Sequence, residues 1–119
     1  MRAVIFALAL LPAYALAETQ APPSSASHVL LDVKTWTRST GIADIGFKIK
    51  NDNEFAIKDP TIQCNFYGNS GTVVERLRKT LFEKINAKSS KHIRSFVMGF
   101  SGDQAATINC AVIDLTESR

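Results

Sequence analysis

Apolar and polar residues alternate along much of this chain with the period of two that marks a strand buried on one face. The pattern is clearest where Ile45, Phe47 and Ile49 face one way while Asp44, Gly46, Lys48 and Lys50 face the other. Asn51-Asp52-Asn53 closes that run, because Asn and Asp tolerate left-handed backbone and bond their own turn. Upstream, Val29, Leu31 and Val33 alternate with Leu30, Asp32 and Lys34 in a first strand that ends near Trp36. Downstream, Ile57 to Tyr67 sets Ile62, Cys64 and Phe66 against Thr61, Gln63, Asn65 and Tyr67. Pro60 cannot donate to a ladder, so it is expected at a strand entrance or edge. Gly68-Asn69-Ser70-Gly71 predicts a hairpin turn into Thr72. Ile93 to Phe100, and the alternation of Ile108, Cys110 and Val112 with Asn109, Ala111 and Ile113, predict the last two strands.

One segment reads two ways. Val73, Leu77, Leu81 and Ile85 recur at helical spacing, yet all four are odd-numbered and would also share one strand face. Thr80 and Phe82 prefer extended backbone, which favours two short strands, Thr72 to Arg78 and Thr80 to Asn86, over an amphipathic helix. The sum is an all-β chain, an immunoglobulin-like antiparallel β-sandwich of about seven strands.

The N-terminus breaks the pattern. Arg2 followed by the apolar run Ala3 to Leu11, and then Ala15-Leu16-Ala17, has the layout of a cleavable signal peptide over residues 1–17. The run is well short of the roughly 20 residues that cross a bilayer, so no transmembrane anchor is expected once the signal is cut. Residues 18–27, with Pro22, Pro23 and a small polar stretch, hold too few apolar groups to offset chain entropy and are expected to be a disordered leader. The folded domain is then 28–119, of one-domain size. A periplasmic or secreted location is expected.

Export changes how the cysteines read. An even count, Cys64 and Cys110, favours a disulfide outside the cytosol, one that would pin distant parts of the sandwich together. Without a C-x-x-C or a Cys-His cluster, a redox pair or thiolate metal site is disfavoured. The formal net charge of +3 includes Arg2, so the exported part carries only a weak overall field, and nucleic acid is not an expected partner.

In order, IADIGFKIKNDN, IKDPTIQCNFYGNSGTVV and INAKSSKHIRSFVMGF resemble the successive strands and turns of FxLYD-type domains, small immunoglobulin-like modules of bacterial envelope proteins. The resemblance spans about Ile42 to Val112. Gly68 stands where that family usually has Asp after the Tyr, and the cysteine pair is not a general family feature. It implies a fold, and no active-site residues carry over.

Candidate chemistry is sparse. His28 borders the leader and His92 lies in the polar run KSSKHIR, so both read as surface histidines. Asp32, Asp44, Asp59, Glu75, Glu83, Asp103 and Asp114 show no spacing of a catalytic pair. Met98 near His92 is too little for copper, and no catalytic residue, metal or cofactor is expected. The best surface candidate is the basic series Arg76, Arg78, Lys79, Lys84, Lys88, Lys91 and Arg94, with Trp36 and Tyr67 as aromatic contacts on polar faces. The expectation is an exported, non-enzymatic binding or accessory module that recognises an envelope protein or anionic surface. The alternative is a binder of a small molecule or anionic glycan through that basic face.

Overall fold

The alternation acts most simply in β2 (Ile42–Asn51), where Ala43, Ile45, Phe47 and Ile49 are all buried. Every other strand builds on it. In the computed structural model, which describes residues 24–102 and 104–119, β1 (Val29–Ser39) and β6 (Ser89–Phe100) flank β2 in a three-stranded antiparallel sheet. The second sheet centres on β3 (Ala56–Tyr67), with β7 (Thr107–Ser118) on one side and β4 (Val73–Thr80) continued by the short β5 (Lys84–Ile85) on the other. The inner faces meet in one core around Ile45, Phe47, Ile49, Ile57, Ile62 and Phe66. The protein is an all-β sandwich of seven strands among the described residues. Labelled as an immunoglobulin-type sandwich, β1-β2-β6 are A-B-E and β4-β3-β7 are C′-C-F.

The residues expected as signal, 1–17, lie outside the described residues, as do 18–23 of the expected leader. The rest of that leader departs from expectation. Ser24–His28 is a 3₁₀ turn in which Ser25 and Ala26 are buried, so ordered structure begins before His28. Two contacts explain it: Ala26 joins the core, and the Ser25 carbonyl accepts a 3.0 Å bond from Asn53 Nδ2.

The doubtful segment Val73 to Ile85 is strand, not helix. A hydrogen-bonded partner decides this, because Thr61 to Tyr67 of β3 pairs with Thr80 back to Val73. The chain leaves the ladder at Leu81 to Glu83 and rejoins as β5, which makes the second strand far shorter than predicted.

Four of the six register shifts among the described strands change the strand parity in ways that simple alternation hides. In β1, Val33 pairs with Phe47 and Thr35 with Gly46, so Lys34 is an extra residue. Trp36, expected on the polar face, is therefore turned inward and packs edge-on against Phe66 with ring centroids 5.8 Å apart. In β6 the span Arg94-Ser95 opposes Gly46 alone, which moves the inward set from Ile93 to Phe96 and Met98. In β3 a bulge at Asp59-Pro60 moves it from Ile57 to Ile62, and in β7 Ile113 is extra, so that Val112 and Leu115 are both buried. Pro60 is thus not at an edge or entrance: it is buried in the central strand. The bulge makes that possible, since Asp59 takes φ 53° and the Pro60 carbonyl still accepts from the Leu81 amide at 2.8 Å.

Polar groups close the two ends. At the β1–β2 hairpin Thr40 (φ 51°) and Gly41 (φ 81°) both take left-handed backbone, the requirement of a tight type I′ turn. At the other end Asn51 is fully buried, its Nδ2 donating to the carbonyls of Phe55 (2.9 Å), Ile85 (3.1 Å) and Asn86 (3.1 Å). Its Oδ1 accepts from the backbone and side-chain amides of Asn53 at 3.0 and 2.9 Å. The Asn-rich turn bonds itself as predicted, but without left-handed backbone, which occurs instead at Thr40, Asp59 and Lys88 among the described non-glycine residues. Asn51→Ala removes one amide and strands several buried partners, so unfolding free energy should fall by about 2–4 kcal/mol in urea titration. An unchanged midpoint would refute this role.

Cys64 and Cys110 form a disulfide. It links two separate strands, as expected, but the parts it pins are neighbours within one sheet and distant only in sequence. The two residues face each other in register on the neighbouring strands β3 and β7, 46 residues apart in sequence. Closing so long a loop restricts the unfolded chain, and the double variant Cys64→Ala/Cys110→Ala should lose about 2–5 kcal/mol of stability. Equal urea midpoints for oxidised and reduced protein would contradict this.

Candidate functional site

Gly46 lies at the middle of β2 on its outer side, and both neighbouring strands bulge toward it. A Cβ there would sit 2.6 Å from Thr35 Oγ1 and 2.8 Å from the Arg94 carbonyl. Only glycine admits that approach. Around this point the outer face of the three-stranded sheet has a depression of about 410 Å³, with Lys34, Thr35, His92 and Arg94 on its walls.

The face around it is cationic. Pairing places Lys48 between Asp32 and His92, and Lys50 one step along the same face. Two carboxylates lie here, and both are engaged. Lys34 meets Asp32 at 2.6 Å, and that contact holds the Asp32 carboxyl below its usual range. Asp44 accepts from Ser95 Oγ (2.7 and 2.9 Å) and from the Phe96 amide (3.0 Å), which fastens the β6 bulge in place. Lys48 also acts on Asp32 from the strand opposite, whereas Lys50 and Arg94 make no ion pair among the described residues, and Lys50, His92 and Arg94 are exposed. Such a surface attracts anions and concentrates them before contact.

Beside the depression, and sharing Lys34 and Thr35 with it, a shallower groove of about 260 Å³ runs between the β1 and β7 edges. Val33, Trp36 and Ile108 line it. Trp36 therefore does border a cationic residue, though from the core side rather than from a polar face.

The predicted basic series does not form one surface. Arg76 and Arg78 lie on the outer face of the other sheet, where Arg78 Nε donates to Gln63 at 2.7 Å. Lys79, exposed at the β4 edge, reaches across to the other sheet, its Nζ 2.7 Å from the Val97 carbonyl and 5.1 Å above the Phe96 ring. Lys84 is exposed on β5. Lys88 pairs with Glu54 at 2.9 Å and Asp52 at 3.3 Å, contacts that push its pKa up, and Lys91 reaches Glu83 at 2.7 Å. Tyr67 ends β3, half-buried. Of the predicted residues only Arg94 borders the depression. The series is continuous in sequence, but it runs through β4, β5 and β6, which belong to different sheets. Lys34, Lys48 and Lys50 were legible only as the wet side of their strands, and His92 only as a surface residue.

Among the described residues no group of three or more His, Cys, Asp or Glu side chains comes together as a metal site. No helix of the described residues is long and apolar enough to cross a membrane.

No family model matches the chain, and no curated protein matches it. Among solved structures it is similar to an X-ray structure of a Northeast Structural Genomics Consortium target, SoR45, at 14% identity over 79% of this chain and 88% of that one, with a TM-score of 0.42. The fold assignment rests instead on the strand pairing itself.

The geometry at Gly46 predicts a sharp response. Gly46→Ala should cost about 1–3 kcal/mol, because the Arg94 carbonyl is backbone and cannot swing aside. Thr35→Ala in the same chain relieves only the Thr35 contact and should recover part of the loss. Wild-type stability for Gly46→Ala by thermal denaturation would show that the sheet relaxes freely there.

Proposed function

We propose that this chain is an exported, non-enzymatic binding or accessory module whose three-stranded sheet presents a cationic face to an acidic envelope protein. The observation that carries the reading is the depression over Gly46, walled by Lys34, His92 and Arg94 with Lys48 and Lys50 alongside. Exposed charges of one sign on a rigid sheet steer and orient an oppositely charged partner more than they add raw affinity. The Cys64–Cys110 bridge fits an oxidising compartment, which supports a periplasmic or secreted location. The FxLYD resemblance is carried by strand and turn patterns, no family model supports it, and the cationic face stands without it.

A second reading, an anionic glycan bound across the same face, is favoured by one feature. The groove that contains Trp36 adjoins Lys34, and an aromatic edge beside a cation suits a charged sugar.

Polyglutamate and a sulfated oligosaccharide serve as probes, each titrated at low and high salt. Lys34→Glu/Arg94→Glu should weaken polyglutamate binding at least about tenfold, and binding should fade as salt rises. Arg76→Glu/Arg78→Glu, on the opposite sheet, should change it by less than about twofold. Equal losses in the two variants would sink the assignment of this face. Tighter binding of the sugar, lost with Lys34→Glu/Arg94→Glu, would favour the second reading.

A further inference from the structure

The sandwich has four edges, and three are guarded against pairing with another chain. β1 carries Asp32, Lys34 and Arg38 together with a bulge. β4 carries Glu75, Arg76, Arg78 and Lys79, and β6 carries Lys91, His92 and Arg94 with a second bulge. Charges and bulges of this kind are how sheet edges avoid association. β7 differs. From Thr107 to Ile113 it reads TINCAVI, with no charge, no proline and no glycine, and it pairs only with β3. In an immunoglobulin-type sandwich a further strand, G, lies beside F. No described strand takes that place here.

We propose that the free edge of β7 pairs with β7 of a second copy of this chain, antiparallel and centred on Cys110. The backbone fixes which groups are on offer. The Leu81 amide bonds the Pro60 carbonyl across the β3–β4 ladder, so even-numbered residues of β3, Cys64 included, direct their backbone groups to β4. Cys64 and Cys110 are accordingly a non-hydrogen-bonded pair, with Cα atoms 4.0 Å apart. The N–H and C=O groups of Ile108, Cys110 and Val112 thus point to the open side.

A two-fold axis at Cys110 sets Cys110 against its own copy and Ile108 against the partner's Val112, so that all three residues exchange both backbone bonds. Opposed residues must share a sheet face, which requires such a residue-centred axis. No charges are opposed, because Asp114 and Glu117 lie beyond the paired stretch. The groove lined by Val33, Trp36 and Ile108 borders the same edge. The partner's strand lies against the Ile108 end of that groove and covers part of it, so apolar burial adds to the backbone bonds. The occupant is a second copy because the edge is self-complementary in both hydrogen bonding and charge.

Sedimentation equilibrium of the oxidised protein, from micromolar to near-millimolar concentration, tests this independently of any anionic ligand. A concentration-dependent dimer is expected. Asn109 and Ala111 are exposed and face each other across the axis, so Asn109→Lys/Ala111→Lys opposes like charges and should raise the dimer dissociation constant at least about tenfold. Asn109→Lys/Ala111→Glu instead opposes unlike charges at the same sites and should keep the dimer. Circular dichroism confirms that both variants remain folded. A monomer at every concentration, or a dimer equally insensitive or equally sensitive to the two variants, would overturn the pairing.

Discussion

Gly46 is the position on which the rest of the sandwich turns. Its missing side chain lets two strands bulge toward the same point of β2, and each bulge adds one residue and reverses the parity of the strand beyond it. On the inner side the reversal delivers Trp36, Phe96 and Met98 to the core. On the outer side it leaves Lys34 and Arg94 standing at the rim of the depression. Core packing and surface charge are thus set by one backbone approach. A side chain at that point would disturb both.

This explains how far the sequence could be read. The strands, their order along the chain and the cysteine pair were legible because a period of two is a local property and needs no partner. Bulges are not local. Whether Lys34 or Ile113 is the extra residue depends on the register of the neighbouring strand, so Trp36 was assigned to the wrong face and Pro60 to an edge. Val73 to Ile85 stayed ambiguous for a related reason: a spacing of four is a multiple of two as well as near one helical turn. The site was harder still. Its cations come from the β1–β2 hairpin and from the distant strand β6, whereas the conspicuous basic run is divided between two sheets.

Two polar anchors hold one end of the sandwich and the bulge at its middle. Asn51 directs its amide to three carbonyls from two segments, and Asp44 directs its carboxylate to the β6 bulge. Each satisfies backbone groups that a strand ladder would otherwise leave without partners. The donors that Asp44 meets are neutral, so it keeps its negative charge and offsets part of the positive charge around it.

The cystine has a mechanical side. Because it joins β3 to β7 directly across the ladder, the stretch between Cys64 and Cys110, which are 46 positions apart, is a closed ring. A chain pulled from its two ends can release only the segments before and after that ring. At about 3.4 Å per residue, roughly 150 Å of contour length is withheld from extension. Force applied along the chain therefore passes from β3 to β7 through a covalent bond and bypasses β4, β5 and β6. Under tension the chain would yield only the segments outside the ring.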